Sequence, residues 1–390
     1  MKLTSEEKKM AEGKYGNAVK KSMEILIALG EIYGAEKLVD VTSVQIAGVS
    51  YDNLGDAGLD YLDELAKDGK VRVLTTLNPA GMDLENYKAL GIPEDFAVKQ
   101  KKVIEAFAKM GVVTTCTCTP YLVGNDPHFN EHIAWSESSA VAYANSVLGA
   151  RTNREGGPSA LASALTGKTP LYGMQLDEAR EAKVKVKVKC KLDGTHEFGA
   201  LGKAIGEKVK AKPTLIVGIK EATVDELKSF SASIATYGGA AIFHMKGITP
   251  GKTKTPKEEI VITREDIDKA IKEMNMDGEI DFISVGCPHA SLAEIAKLAE
   301  LLKGKKVKKE FWITTARPTK RIADQVGYSK IIEDAGAKFA ADTCCVVAPI
   351  KGRFKCLATD SAKGCYYAYS KNQSKIKIMP VKKLVEEACK

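Results

Sequence analysis

Ile280-Asp281-Phe282-Ile283-Ser284-Val285-Gly286-Cys287-Pro288-His289-Ala290-Ser291-Leu292-Ala293-Glu294-Ile295-Ala296-Lys297 reads as a strand, a chemically loaded turn and a helix. Ile280 to Val285 is an apolar run of strand length, and Ala290 to Leu302 repeats apolar residues at helical spacing. Cys287 falls between them. A helix starting near Ala290 offers it free N–H groups and a partial positive charge, which favour the thiolate. Pro288 suits a first helical turn, where its missing N–H is not needed. A strand that feeds a helix is the unit of a parallel sheet.

The same alternation runs outward in both directions. Ala18 to Tyr33 predicts an amphipathic helix, Val39 to Val49 an apolar run, Gly58 to Lys67 a helix and Val71 to Leu77 a strand. Glu94 to Lys109 reads as a helix, Val112 to Cys116 as a strand and Glu137 to Leu148 as a small-residue helix. From Val184 to His244 the pattern is βαβαβ, and Lys320 to Ala335 predicts one helix before a strand at Lys338 to Ala341. The fold class is therefore α/β, with several three-layer βα domains, mostly parallel sheets and a site in a cleft between domains. The expected division is an N-terminal region 1–180, a middle region 181–275 and a C-terminal region 276–390.

Composition narrows the function. The net charge of +8 comes from lysines spread along the chain, without the basic stripe and interleaved aromatics of a nucleic-acid binder. No segment approaches the roughly 20 apolar residues of a membrane span, and the N-terminus reads as a helix cap, so a cytoplasmic protein is expected. Nine cysteines, an odd number, in a reducing compartment argue against a disulfide framework. There is no Walker motif and no Rossmann glycine fingerprint.

Parallel sheets place ligand sites at the carboxyl ends of strands. Cys118, Cys287 and Cys344 all fall at such ends, as do Gly48-Val49-Ser50 and Asn78-Pro79. One cysteine in this setting reads first as packing; three with the same pattern point to ligation. Cys116 competes with Cys118, since both face the same way on an extended chain. Cys345 competes with Cys344. Cys190, Cys356, Cys365 and Cys389 read as structural. His289 is either a proton donor behind Cys287 or a solvated residue at a helix start. Glu137 and Ser138 open the Ala-rich helix, as a cap or as catalytic groups. Arg151 and Arg154, in the loop to Gly157, are candidate anion contacts. Lys363, in Asp360-Ser361-Ala362-Lys363-Gly364, is another anion grip.

Together these motifs resemble the aconitase X family. The matching elements include Ala47-Gly48-Val49-Ser50, Asn78-Pro79-Ala80-Gly81, Cys118-Thr119-Pro120-Tyr121 and Trp135-Ser136-Glu137-Ser138-Ser139-Ala140. Further matches are Gly286-Cys287-Pro288-His289, Asp342-Thr343-Cys344 and Asp360-Ser361-Ala362-Lys363, so the likeness spans nearly the whole chain. The resemblance implies an aconitase-like dehydratase with an iron–sulfur cluster held by Cys118, Cys287 and Cys344. It implies [4Fe-4S], with [3Fe-4S] expected where the exposed iron is lost. It places substrate contacts at Gly48, Val49, Ser50, Asn78, Pro79, Glu137, Ser138 and Lys363, with Ser138 or Glu137 as the base.

The family has two kinds. One dehydrates cis-3-hydroxy-L-proline and is a longer single chain with a swivelling domain. The other, archaeal, is split into large and small subunits and dehydrates mevalonate 5-phosphate, a phosphorylated hydroxy acid, in isoprenoid synthesis. At 390 residues this chain resembles the large subunit, which implies a heterodimer with a small subunit.

Overall fold

The computed structural model describes residues 1–390. Three parallel sheets follow one another along the chain. The first has three strands in the order Leu74–Leu77, Ser43–Ile46, Ala134–Trp135. The second has four, in the order Phe243–Met245, Thr214–Val217, Val184–Val188, Glu258–Ile262. The third has five, in the order Lys338–Ala341, Glu310–Thr315, Phe282–Val285, Cys356–Thr359, Lys375–Ile378. Leu38–Asp40 and Lys168–Pro170 form a separate antiparallel pair. A core of 45 buried residues, from Met82 to Ile378, includes side chains from all three stretches, so they pack as one body.

In the third sheet the strand order reverses between Phe282–Val285 and Cys356–Thr359. Connections leave in opposite directions there and open a crevice at the carboxyl ends. In the first sheet Ser43–Ile46 lies between strands that follow it in sequence on either side, which creates the same opening. The carboxyl ends of these two sheets supply the loops described below. No helix is long and apolar enough to cross a membrane.

Several sequence expectations need correction. Val112 to Cys116 is not a strand. Its β-branched residues run beside Leu74–Leu77, but only Val113 bridges, to Thr76. Val113 N–H and Thr117 N–H donate to the Thr75 and Leu77 carbonyls, and the residues between bulge out, with Cys116 at φ 45°. The helix after Cys287 begins at Leu292, not near Ala290. Ser291 and Glu294 satisfy its first turn reciprocally, and Ala290 N–H bonds to the Thr314 carbonyl. Cys287 therefore has no helix N-terminus against it. Lys320 to Ala335 is two helices, Arg317–Gln325 and Tyr328–Asp334, divided at Gly327. The strands Glu258–Ile262 and Cys356–Thr359, too short to announce themselves by period, complete the second and third sheets.

Gly286 joins Phe282–Val285 to Cys287 with φ +96°, and a Cβ there would lie 2.1 Å from the Thr314 carbonyl oxygen. Gly304 also has positive φ, +73°, but open space around it. In urea unfolding, Gly304→Ala should cost about 1–2 kcal/mol, the left-handed backbone penalty alone. Gly286→Ala should cost clearly more, because the neighbouring strand must also move. Equal losses would contradict the packing described for this turn.

Candidate active site

A cavity of about 260 Å³ opens between the first and third sheets. It is the size of a small metabolite. Clefts of about 650 and 570 Å³ border the middle sheet, but neither contains Cys118, Cys287 or Cys344. The smaller cavity draws Ala47, Asn78 and Ser136 from just past the three strands of the first sheet. From the third sheet it draws Cys287, Cys344 and Lys363.

All three of these thiols are buried, at 5–8% exposure. Cys118 and Cys344 line the cavity, whereas Cys116 and Cys345 pack into hydrophobic cores. The turn at Cys116 separates the members of the first pair; adjacent residues pointing apart separate the second. Burial pushes the Cys118 thiol up to about 12, assisted by the Glu137 and Cys344 charges and opposed by Lys363. Burial raises Cys287 as well, reinforced by Cys345 and Cys344. Burial also raises Cys344, against the Val346 and Val347 N–H groups. The three sulfurs do not close round a point that one metal ion could occupy.

Glu137 caps the helix Ser138–Tyr143 and is 6% exposed. Its Oε2 accepts from Ala140 N–H at 2.7 Å and from the Ser139 hydroxyl. Its Oε1 pairs with Lys363 Nζ and lies 3.4 Å from Ser138 Oγ. Burial alone would raise this carboxyl; the Lys363 charge and these hydrogen bonds outweigh it and hold the group below the usual carboxylate range. Burial likewise opposes the Lys363 charge, but Glu137 overcomes it and keeps the ammonium above its ordinary value.

Gln45, fully buried, was not singled out in the sequence. Its Oε1 accepts from Glu137 N–H at 3.0 Å, and its Nε2 donates to Asn78 Oδ1 at 3.2 Å and to the Thr117 carbonyl at 3.4 Å. One amide thus joins three loops. Arg317 performs a similar office from the third sheet. Its guanidinium reaches Asp83 Oδ1 and Asp342 Oδ2, each at 2.5 Å, while Ala80 N–H donates to the Asp342 carbonyl. The Asn78 loop is thereby fastened to the Cys344 loop.

His289 is fully buried, not solvated. Its ring contacts Thr117 Oγ1 and the Thr343 carbonyl, each at 2.9 Å, and its N–H points at Cys118 Sγ, 3.3 Å away. Burial pushes the imidazole down to about 4, so it is neutral.

Gly48, Val49 and Ser50 precede the helix Tyr51–Leu65. Val49 and Ser50 are buried, and Ser50 Oγ donates to the Val347 carbonyl. None of their three N–H groups donates to a protein acceptor. Such amides ahead of a helix suit an anion. Asn78, Pro79, Glu137, Ser138 and Arg154 line the cavity. Gly48, Val49 and Ser50 do not, although the preceding Ala47 does; nor does Arg151, which bonds Asp177, Asn130 and the Gln175 carbonyl. Asn53, Tyr367 and Lys371 line it without having been singled out in the sequence. Lys371 pairs with Asp52 at 3.3 Å.

Family models described as aconitase X first, second and third domain match residues 1–178, 182–272 and 280–390. A phosphomevalonate dehydratase large subunit from Methanocaldococcus jannaschii is 46% identical, covering 99% of this chain and 100% of its own. A cis-3-hydroxy-L-proline dehydratase from Hypocrea jecorina is 31% identical over 100% of this chain and 69% of its own. The crystal structure of Thermococcus kodakaraensis aconitase X in its holo-form superposes with a TM-score of 0.93, at 44% identity and over 100% of both chains.

Removing one partner of the Glu137–Lys363 pair strands a buried charge. Glu137→Gln should cost about 3–5 kcal/mol in urea unfolding. Adding Lys363→Met should recover part of that loss. The Glu137 carboxyl has a lowered folded value, so its stabilisation is present above the unfolded carboxylate pKa and lost as pH falls through the folded one. Glu137→Gln should flatten that acid limb. Strictly additive single-mutant losses would show that the pair is not coupled.

Proposed function

The chain belongs to the aconitase X family, and from that premise we propose that it is the large subunit of a hydro-lyase converting (R)-5-phosphomevalonate to trans-anhydromevalonate 5-phosphate. The observation that carries the reading is the meeting of Cys118, Cys287 and Cys344 with the Glu137–Lys363 pair in one small cavity, within a chain matched end to end by a phosphomevalonate dehydratase large subunit. The hydroxyproline dehydratase is more distant and extends well beyond this chain.

Cys118, Cys287 and Cys344 hold an iron–sulfur cluster in this reading. The donor set fits: three thiols, from three separate loops, open into the same cavity. A cubane so held supplies a Lewis-acidic iron toward the substrate hydroxyl when bound. Lys363 offsets the negative charge that thiolates bring into a buried place.

The chain's own groups bind and orient the substrate. It carries a carboxylate and a phosphate, so it needs two anion grips. Arg154, on the cavity wall, takes one end; the free amides of Gly48, Val49 and Ser50, which follow the wall residue Ala47 without themselves lining the cavity, are assigned to the other. Asn78 Oδ1 is occupied by Gln45, which leaves its amide nitrogen to donate to substrate. Ser138 Oγ faces the C2 proton. Glu137 is a weak acceptor because its carboxyl is held ionised by three donors and a cation; its main task is to fix Lys363 and Ser138. Orientation of this kind aligns the departing proton and hydroxyl.

The relatives are named large subunits, and a small subunit covers the cavity in this reading. A cytoplasmic setting is part of this reading.

Anaerobically reconstituted protein, combined with its small subunit, should dehydrate phosphomevalonate. Cys118→Ser, Cys287→Ser and Cys344→Ser should each lower bound iron and sulfide and abolish turnover, whereas Cys116→Ser and Cys345→Ser should retain the cluster. Turnover of cis-3-hydroxy-L-proline in place of phosphomevalonate would reject the substrate.

A further inference from the structure

We propose that His289 is a positioning residue for the iron–sulfur cluster: one imidazole and its peptide group fix the Cys118, Cys287 and Cys344 loops in a common register. The inference rests on the cluster reading above. His289 lies two residues after Cys287, and all four of its polar atoms are engaged. Its N–H donates to Cys118 Sγ at 3.3 Å. Its carbonyl accepts from Lys228 Nζ at 3.0 Å. Its Nε2 lies 2.9 Å from the Thr343 carbonyl, in the residue before Cys344. A carbonyl cannot donate, so Nε2 carries the ring hydrogen and Nδ1 is the acceptor. The Nδ1 donor is the hydroxyl of Thr117, 2.9 Å away, in the residue before Cys118.

The pattern has one solution. The Thr117 hydroxyl uses its hydrogen on Nδ1, and its lone pairs receive the Thr119 N–H at 3.1 Å. The Thr119 hydroxyl, also 3.1 Å away, then donates to the same oxygen. A ring with its hydrogen on Nδ1 would turn the bare Nε2 lone pair toward the Thr343 carbonyl and leave both unmet. Buried polar groups are expensive when unmatched, so the three loops hold one relative arrangement. Lys228 extends the node into the middle region. It is 2% exposed, belongs to the helix Val224–Gly238, and pairs with Glu294 and with Asp225 at 3.2 Å.

This is more than packing. A backbone N–H aimed at a cluster thiolate draws electron density from that sulfur, and such outer contacts tune both retention and electronic structure. Cys118 receives the His289 N–H as Cys344 receives those of Val346 and Val347, so loss of the His289 contact should alter the Cys118 corner of the cluster.

The test compares His289→Gln, His289→Leu and Thr117→Val with the unaltered protein after anaerobic reconstitution. His289→Leu should release iron to a ferrous chelator about 10–100-fold faster than the unaltered chain. His289→Gln keeps one donor and one acceptor at its tip and should fall between the two; so should Thr117→Val. The electron paramagnetic resonance g-values of the retained cluster should shift in all three. A purely structural role would lower the unfolding temperature of the metal-free forms but would leave the g-values of the retained cluster unmoved. Wild-type iron content, release rate and g-values in a folded variant would overturn the proposal, as would failure of the unaltered chain to bind iron. Should His289→Leu not fold, the Gln and Val variants decide. A cluster-bearing wild type that leaves phosphomevalonate untouched would sink the substrate reading alone, and the release rates would still decide the role of His289.

Discussion

Loops at the carboxyl ends of two parallel sheets are pressed together here, and each brings polar groups into a place with little water. Such groups cost free energy unless every one finds a partner. That demand shapes the site. Gln45 ties the Asn78, Thr117 and Glu137 segments of the first sheet to one another. Arg317 crosses from the third sheet to Asp83 while holding Asp342. Lys363 crosses to Glu137, and His289 crosses to Thr117 and Cys118. The positions of the three thiols follow from these pairings, because each thiol sits next to, or within two residues of, a paired group.

The electrostatics follow from the same enclosure. Burial opposes ionisation of Cys118, Cys287, Cys344 and Lys363, while Glu137 stays charged because four donors surround it. A site that needs thiolates must therefore supply positive charge at close quarters. Lys363 does so from within, and bound iron does so in the proposed holoenzyme. Fixed charges in a small, dry space act strongly on a substrate and need little rearrangement when it reacts. The free amides of Gly48, Val49 and Ser50 add a partial positive charge without another buried side chain.

Strand–loop–helix order was legible in the sequence because apolar runs and helical spacing are local. That was enough to bring Cys287, Cys344 and Asn78 toward one end of the sheets. It failed at Val112 to Cys116, where β-branched residues favour extension but the bulge at Cys116 prevents a ladder. It also misplaced the helix after Cys287, since Ser291 is a better cap than the Pro288 turn suggested. Gln45, Arg317 and Asp83 carry no local mark at all: their significance lies in partners between 25 and 234 residues away. His289 was visible as a neighbour of Cys287, but its burial and its four bonds exist only once the sheets meet. Tyr367 and Lys371 escaped for a related reason, as the helix Ala362–Ser370 that brings them to the cavity follows a strand only four residues long.

Mössbauer spectroscopy of protein reconstituted with ⁵⁷Fe, recorded with and without phosphomevalonate, probes the central claim most directly. Three thiol ligands from this chain leave one iron exposed to substrate, so one subset of the iron signal should change its isomer shift and quadrupole splitting when substrate is added, with the remainder unaltered. A spectrum that is indifferent to substrate, or in which all iron responds alike, would contradict a cluster anchored at Cys118, Cys287 and Cys344 with one corner turned toward the cavity.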